Sequence, residues 1–474
     1  MISFIIALAV LIASYFLYGR LVERLFGADE KLITPAIRMK DGVDYVPMPS
    51  WKLFLIQFLN IAGIGPIFGA IAGALWGPAA FLWIVLGTIL AGGVHDYFAG
   101  MLSMRHDGLS IPEIVGIYMG NGFRQFLRLF TVVLLALVGV VFVAGPARLL
   151  EGLVPGSDMS MWLYIIFAYY IIATLLPIDK LIGRLYPIFG ASLLLMAVGI
   201  TGGILVKGYT IPEITLSNLH PNDLPIWPLM FITIACGAIS GFHSTQSPIM
   251  ARCCTNERLG KRVFYGAMVT EGIVALIWAA ASMAFFGTTG EQATFMAESG
   301  EQAGVVNHIS ISLLGPIGGI LAVLGVVFCP VSSGDTAFRS ARLTIADVLN
   351  LSQKPFRNRL MIAIPLFLVG FVLTQVDFQV IWRYFAWSNQ TIAMLVLWTA
   401  AVFLKKYNKF HWIASLPAMF MTAVTTTYLM IAPEGFNLSA TFSYPAGIAL
   451  AIMAMMFFLF TGEKTSNGYN THPE

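Results

Sequence analysis

Long apolar stretches alternate with short polar connections along almost the whole of this 474-residue chain. A helix needs about 20 mainly apolar residues to cross a bilayer, and stretches of that kind recur from residue 2 onward. The pattern predicts an all-α integral membrane protein with about 13 transmembrane helices. The predicted spans, numbered 1 to 13 in chain order, are 2–24, 51–73, 78–104, 124–149, 160–177, 183–206, 225–250, 261–287, 312–338, 358–376, 380–404, 411–432 and 442–461.

The basic residues in the connections predict how these spans are oriented. Lys and Arg are retained on the cytoplasmic side of a membrane, and all but three of the 27 basic residues fall on one side of the predicted bundle. The exceptions are Arg148, Lys207 and Arg383. We therefore expect a protein of the cytoplasmic membrane with its N-terminus outside and its C-terminus in the cytoplasm.

Two of the spans are interrupted by residues that break helices. Span 7 carries the run GAISGFHSTQ at 237–246, followed by Pro248, and span 2 carries Gly63, Gly65 and Pro66. Backbone that leaves a helix at membrane depth must line a cavity or be buried in protein, because lipid offers no hydrogen-bond partners. The sequence therefore predicts discontinuous helices in spans 2 and 7.

The two interruptions lie five spans apart, which predicts an inverted repeat. Paired interruptions in corresponding positions of two halves mark the binding sites of transporters, and an odd number of spans between them inverts the second copy. We expect a single membrane domain, 1–474, with a 5+5 core. Its predicted parts are a leading helix and cytoplasmic loop at 1–50, a first repeat at 51–207, an inverted second repeat at 225–404 and two trailing helices at 411–461.

The composition agrees with a membrane protein and excludes some functions. Hydrophobic residues make up 58% of the chain and charged residues 11%, and the net charge is +3. The basic residues are dispersed between apolar segments, so no nucleic-acid surface is expected. The four cysteines lack the spacing of a metal site or a disulfide framework. No cofactor is expected beyond a coupling ion.

The two interruptions supply the candidate solute-binding groups. Half-helix N-termini favour an anionic group and freed carbonyls favour a cation, so a small carboxylate-bearing solute is expected between spans 2 and 7. Close helix packing by small residues and interhelical hydrogen bonding by His243 are the alternatives. The candidate substrate-binding residues are Gly63, Gly65, Pro66, Ser240, Gly241, His243, Ser244, Thr245 and Gln246.

Ionisable and hydroxyl groups within the spans are candidates for coupling to an ion gradient. An ionisable group at membrane depth is costly and is by default a functional hypothesis, so Asp96, His243 and Glu271 are the candidate proton carriers, with structural hydrogen bonding as the alternative. Span 9 ends in hydroxyls that suit a hard monovalent cation, namely Ser332, Ser333 and Thr336. Asp335 and Arg339 are four residues apart and are expected to pair along one helix face.

Five segments of the chain resemble the carbon starvation protein A family. They occur in the family's order between about residues 38 and 400, and the segments around His243 and Asp335 are the most specific. The segments are KDGVDYVP (40–47), IAGIGP (61–66), SGFHSTQSP (240–248), ERLGKRVFYGAMVTEG (257–272) and SGDTAFRSARLTIAD (333–347). The chain resembles a short form, because long members of the family carry further C-terminal membrane helices.

The resemblance implies an importer of pyruvate or small peptides, used when preferred carbon sources run low and driven by an ion gradient. It also implies membership of the amino acid-polyamine-organocation carriers. Their core is the five-plus-five inverted repeat of the leucine-transporter fold. In that fold a sodium ion lies between the first and eighth core helices, which are spans 2 and 9 here. The ion-binding residues implied by this position are the carbonyls of Ile61, Ala62 and Ile64 and the hydroxyls of Ser332, Ser333 and Thr336.

These observations favour an ion-coupled secondary transporter, not an enzyme, that imports a small carboxylate-bearing solute by alternating access. The coupling ion is expected to be sodium or a proton, and the partners are the solute and the lipid bilayer. No GxxxxGK[ST] loop occurs, which disfavours direct drive by a nucleotide. The alternatives are a solute sensor with little transport and, less favoured, a membrane-embedded enzyme that uses His243 with a serine or Asp96.

Overall fold

The computed structural model describes residues 1–42, 44–175, 179–349, 351, 353 and 355–461. Regular structure in these residues is helical, with no strand among them, so the predicted all-α fold is confirmed. The helices of nine or more residues are α1 Ile2–Phe26, α2 Ser50–Ala62, α3 Gly65–Gly73, α4 Ala79–Arg105, α5 Ile111–Met119, α6 Asn121–Leu153, α7 Met159–Leu175, α8 Asp179–Val206, α9 Phe242–Ala251, α10 Glu257–Phe286, α11 Thr289–Ser299, α12 Glu301–Ala346, α13 Phe356–Leu373, α14 Phe378–Lys406, α15 Trp412–Ile431 and α16 Ala440–Phe460.

Most of these helices are long and apolar enough to cross a membrane, so the chain is a multi-pass membrane protein. Within the described ranges ten helices meet that test, and α2 with α3 forms an eleventh span, bent by 47°. Predicted span 5 corresponds to the shorter α7, and span 7 to the interrupted segment that ends in α9. Residues 176 and 177, the predicted end of span 5, lie outside the described residues. The total of 13 spans and the inverted repeat stay predictions.

Both predicted interruptions are present, and glycine permits each of them. Between α2 and α3 the backbone leaves the helix at Gly63, whose φ of +22° is open to glycine but rarely to other residues. In the second interruption the single helical turn Phe231–Thr233 ends, Gly237 takes a φ of +89°, and the helix resumes at Phe242. Spans 2 and 7 are therefore discontinuous, as predicted.

Three of the long helices contain a turn of π-helix, in which the backbone hydrogen bonds join residues five apart, and a fourth such turn, Ile226–Met230, begins span 7. The first three are Gly87–Gly92 in α4, Lys261–Tyr265 in α10 and Val323–Phe328 in α12. The turn in α4 carries Thr88, whose hydroxyl donates to the Gly237 carbonyl at 2.9 Å. It thereby connects α4 directly to the interruption in span 7.

The interrupted segments occupy the centre of the helix bundle. Helices α4, α10 and α14 are buried over most of their length, whereas α13 and α16 lie at the periphery. Fully buried aromatic side chains, including Tyr97, Trp278 and Phe242, fill the space between the central helices. At one end of the bundle, Gln292 of α11 donates to the Ile71 carbonyl of α3 at 2.7 Å. The short helix α11 therefore binds α3, the second half of the first broken span.

Candidate functional site

The two interruptions pack directly against each other. Gly65 lies so close to Cys236 that a Cβ added to Gly65 would be 2.5 Å from the Cys236 Cβ, and a Cβ added to Gly69 would be 3.2 Å from the Thr233 carbonyl oxygen. Small residues allow this approach of two backbones. The candidate residues buried around this crossing are Gly63, Gly65, Pro66, Ser240, Gly241 and His243. The two segments are therefore in direct contact in this conformation, which we call the closed conformation.

Side chains from neighbouring helices bind the backbone groups that the interruption of span 7 releases. Trp83 of α4 donates its indole N–H to the Ile234 carbonyl at 3.0 Å, and Thr88 donates to the Gly237 carbonyl. The Gly237 N–H donates to a carboxylate oxygen of Glu271 on α10 at 3.1 Å. Buried backbone groups need such partners, and these bonds hold the irregular segment in a defined shape.

Asn389 of α14 binds the point at which α9 begins. Its side-chain oxygen accepts hydrogen bonds from the Ser240 hydroxyl at 3.0 Å and from the Phe242 N–H at 2.8 Å. Its backbone carbonyl accepts from the Gly241 N–H at 2.9 Å. From sequence, Asn389 is a neutral polar residue of span 11 that suits structural hydrogen bonding and a binding site equally. The structure shows that it caps the interruption.

The remaining polar candidates of span 7 are satisfied within the first turn of α9. Ser244 donates to the Gly241 carbonyl at 2.6 Å, and Thr245 donates to the Phe242 carbonyl at 2.7 Å. Gln246 donates its amide to the Thr245 hydroxyl at 3.0 Å. In this conformation these three side chains support the helix start.

Three ionisable residues from three different helices meet at the interruption. His243 Nδ1 lies 2.9 Å from Asp96 Oδ2 of α4, and His243 Nε2 lies 3.2 Å from Glu271 Oε2 of α10. His95 Nδ1 lies 2.7 Å from the other oxygen of Asp96. All four side chains are fully buried, and none forms an ion pair with a Lys or Arg of the described residues. The separately predicted proton carriers thus form one cluster.

Cys236 adds a third kind of ligand group to this cluster. Its sulfur, a ring nitrogen of His243 and a carboxylate oxygen of Glu271 all lie within 4.8 Å of one another. Thiolate, imidazole and carboxylate together are a donor set that zinc accepts, so this spot has the chemistry to hold a metal ion as well as protons. The sequence carries no signal for the position of Cys236, because only the fold brings it to Glu271.

The hydroxyls predicted to bind a cation lie on α12 near the end of α2. Ser332 donates to the Cys329 carbonyl at 2.8 Å, and Thr336 donates to the Ser332 carbonyl at 3.1 Å. The Ser333 hydroxyl is buried and has no hydrogen-bond partner in the part of the chain that the structure describes. One turn before Ser333, the Cys329 thiol contacts the Leu59 carbonyl of α2 at 3.7 Å. Ser333 is therefore the hydroxyl still available to a ligand.

Near the same helices, the other residues predicted around the ion occupy defined positions. Ile61 and Ala62 form the last turn of α2, where the helix leaves carbonyls without intrahelical partners. The Ile64 carbonyl instead accepts a hydrogen bond within α3 at 2.8 Å. The predicted pair of Asp335 and Arg339 is confirmed, with 3.2 Å between their charged groups.

A cavity of about 500 Å³ lies beside the interruption of span 7. Apolar side chains of α4, α15 and the segment 226–231 line it, among them Trp83, Phe231 and Phe420. None of the predicted substrate or ion residues is among its lining residues. The candidate site is therefore the crossing itself and not this groove.

Comparison with known sequences identifies related membrane proteins. Residues 1–152 and 154–316 match the family described as carbon starvation protein CstA. An uncharacterized membrane protein of Haemophilus influenzae is 45% identical over 339 residues, which cover 60% of this chain and 91% of that protein. Peptide transporter CstA of Escherichia coli is 24% identical, covering 89% and 79%. The pyruvate/proton symporter BtsT of Escherichia coli is 26% identical, covering 56% and 46%.

Comparison with solved structures shows the fold. A manganese transporter of Eremococcus coleocola superposes with a TM-score of 0.56 at 13% identity, covering 87% of this chain and 96% of that one. MhsT in complex with L-phenylalanine superposes with a TM-score of 0.55 at 15% identity, covering 87% and 98%. The architecture is therefore that of the leucine-transporter fold, as predicted, and both neighbours are transporters, not enzymes.

Proposed function

Because this chain belongs to the carbon starvation protein CstA family and its broken helices meet at a buried Asp96–His243–Glu271 cluster, we propose that it is a proton-coupled importer of small carboxylates. The substrates would be pyruvate or short peptides, and the mechanism alternating access across the cytoplasmic membrane. That the chain is a membrane transporter follows from its relatives and its fold. What we propose beyond this is the identity of the coupling ion, the identity of the solute and the direction of transport.

The cluster of Asp96, His243 and Glu271 is the observation that carries the proton assignment. His243 Nδ1 is hydrogen-bonded to Asp96, and Nε2 lies 3.2 Å from Glu271 without a hydrogen bond in this conformation. A small rotation of the ring would let the imidazole take a proton from one carboxyl group and pass it to the other. Two carboxyl groups buried without a Lys or Arg partner are costly when both are charged. Protons that enter the cluster would remove that cost, and the three groups can hold different numbers of protons in different conformations.

The position of the cluster links protonation to the broken helices. Glu271 accepts from the Gly237 N–H inside the interruption, and His243 belongs to the first turn of α9. A change in their charge therefore acts on the segment that packs against Gly65. Once the segments separate, the N-terminal ends of α3 and α9 would face a solute carboxylate with the positive ends of their dipoles.

Sodium coupling is the second candidate, and the Ser333 hydroxyl supports it. That group is buried and without a hydrogen-bond partner among the described residues, on the face of α12 near the end of α2. Oxygen ligands of this kind suit a hard cation. The relatives' names favour the proton, because one of them is called a pyruvate/proton symporter.

Uptake into proteoliposomes tests the proposal. Purified protein should accumulate radiolabelled pyruvate or alanyl-alanine under an inward proton gradient and not under an equal sodium gradient. Asp96→Asn and Glu271→Gln should abolish accumulation yet retain exchange of labelled for unlabelled solute, while Ser333→Ala, the matched control, should accumulate normally. Accumulation that follows sodium and is lost in Ser333→Ala would assign the coupling to sodium.

Two further results would reject ion coupling. Equal uptake with and without gradients contradicts a coupled importer, and binding of solute without any uptake indicates a sensor.

Metal analysis of the purified protein, with Cys236→Ser as reference, shows whether the thiol, His243 and Glu271 retain a metal ion in place of protons. A stoichiometric metal that is lost with the thiol would contradict the proton assignment.

A further inference from the structure

Arg148 lies at the end of α6 that the distribution of basic residues predicts to face outside. The same helix runs along the first interruption. A Cβ added to Gly63 would be 2.7 Å from the Phe142 ring, and one added to Gly145 would be 2.6 Å from the Ile64 side chain. Arg148 follows Gly145 by three residues, one helical turn farther out. It is therefore a charged group directly above the crossing.

An aromatic group connects Arg148 to that crossing. The guanidinium lies over the Phe378 ring, 5.1 Å from its centre. Phe378 in turn packs against Phe68 of α3 and Trp382 of α14, with ring centres 6.3 and 6.1 Å away. Trp382 also lies beside Gly69, 3.6 Å from the position that a Cβ would occupy there. These side chains form a continuous series of contacts from Arg148 at the end of α6 to the broken segments.

Arg148 has hydrogen-bonding capacity that the fold does not use. Its ion pair with Glu301 is loose, with 3.4 Å between Nη1 and Oε1, and its Nε is buried without a hydrogen-bond partner among the described residues. Arg383, also predicted to face outside, donates its Nε to Glu434 at 2.7 Å. A guanidinium offers five donors in a fork that fits a carboxylate, so Arg148 is only partly satisfied.

A second unused donor lies in the aromatic group. The indole N–H of Trp382 is buried and has no partner within the ranges that the structure describes. A buried donor without an acceptor is uncommon in native structures. Both unused donors belong to residues that contact Phe378, so each is a potential partner for a carboxylate that passes this ring.

Glu301 is held in place independently of Arg148. Gln379 donates to its Oε2 at 2.8 Å, and its backbone has a φ of +63°, directly after Gly300 at +86°. A residue other than glycine rarely adopts this conformation. The fold therefore keeps a carboxylate beside Arg148 at a distance too long for a strong hydrogen bond.

We propose that Arg148 is the outer carboxylate-binding group of this transporter. In the closed conformation the Glu301 carboxylate occupies the position beside Arg148 that a solute carboxylate would take. An incoming solute carboxylate would replace the loose Glu301 contact at the guanidinium, while Glu301 keeps its hydrogen bond from Gln379. It would then pass the Trp382 N–H and so reach the crossing with its charge compensated. Glu301 then competes with the solute and returns when the solute has moved inward. This assignment rests on the proposed import of carboxylates and names the residue that recognises them.

The test measures binding separately from transport. Thermal stabilisation of the purified protein by pyruvate is compared with that by methyl pyruvate, which has the same carbon skeleton without the charge. Arg148→Gln should weaken pyruvate binding by about 10- to 100-fold, the usual effect of losing hydrogen bonds to a charged group, and Arg148→Lys should lose less. Glu301→Gln should strengthen binding, and Arg383→Gln should leave it unchanged.

The outcomes separate this inference from the proposed function. If wild-type protein binds no carboxylate, or if Arg148→Gln and Arg383→Gln behave alike, the inference is overturned. If Arg148→Gln does not fold, Glu301→Gln decides, because unchanged or weaker pyruvate binding by that variant contradicts competition with the solute. Binding that depends on Arg148 without any uptake would support the subsite while rejecting the import proposal.

Discussion

Replacing Gly65 with alanine tests whether the transport cycle separates the two broken segments. In the closed conformation the new Cβ would lie 2.5 Å from the Cys236 Cβ and 2.6 Å from its sulfur, whereas carbon atoms in contact are about 3.5–4.0 Å apart. Overpacking of a core typically costs about 1–3 kcal/mol. Because this cost arises only where the segments touch, Gly65→Ala should shift the equilibrium toward separated conformations by about 5- to 150-fold.

The rate at which Cys236 reacts with a membrane-permeant maleimide measures that shift. The thiol is buried in the closed conformation, so its labelling should accelerate in Gly65→Ala, read by mass spectrometry of the peptide that contains it. Gly202→Ala on α8 is the matched control, because nothing lies within 4 Å of a Cβ added there. A labelling rate and thermal midpoint equal to those of wild type would refute the reasoning that the contact between Gly65 and Cys236 must open.

Three further predictions concern stability. Asn389→Ala should lower the unfolding midpoint, since it leaves the buried Ser240 hydroxyl and Phe242 N–H without their acceptor at about 1–3 kcal/mol each. Glu257→Ala should cost about 3–5 kcal/mol in chemical denaturation, because its buried carboxylate accepts from Arg105 at 2.9 and 3.0 Å. Hydrogen bonds from the N-terminal ammonium and Ser3 lower the pKa of Glu213 to about 2. This stabilisation should be present above the ordinary pKa of 4.5 and lost as the pH falls toward 2, and the thermal midpoint of Glu213→Gln should lack that dependence.

The interruptions could be predicted because their cause is local. Gly63, Pro66 and Gly237 break a helix wherever they occur in hydrocarbon, so their positions can be read from the chain alone. The pair of Asp335 and Arg339 was equally accessible, because residues four apart share a helix face. In each case the structure depends only on residues a few positions away in the sequence.

The cluster itself could not be assembled from sequence. Asp96 and His243 are 147 positions apart, and no periodicity states which faces of two helices meet. The spacing of Cys236 in the sequence gives no sign of a metal site, since it comes close to Glu271 only after α10 has packed on the interruption. Sequence also does not show that Ser244 and Thr245 bond to their own helix in this conformation, and their role in binding a solute stays a prediction.

The direction in which Asp96 faces depends on the number of residues in the π turn Gly87–Gly92, as well as on which residues they are. Each residue of an α-helix turns the chain by about 100°. Deleting one residue within the turn would leave the letters GVHDYF intact and yet rotate Asp96 by that angle relative to Trp83, away from His243. A single-residue gap in this stretch of a distant relative would therefore mark the loss of the buried acid from the site, even where every residue of the site is retained.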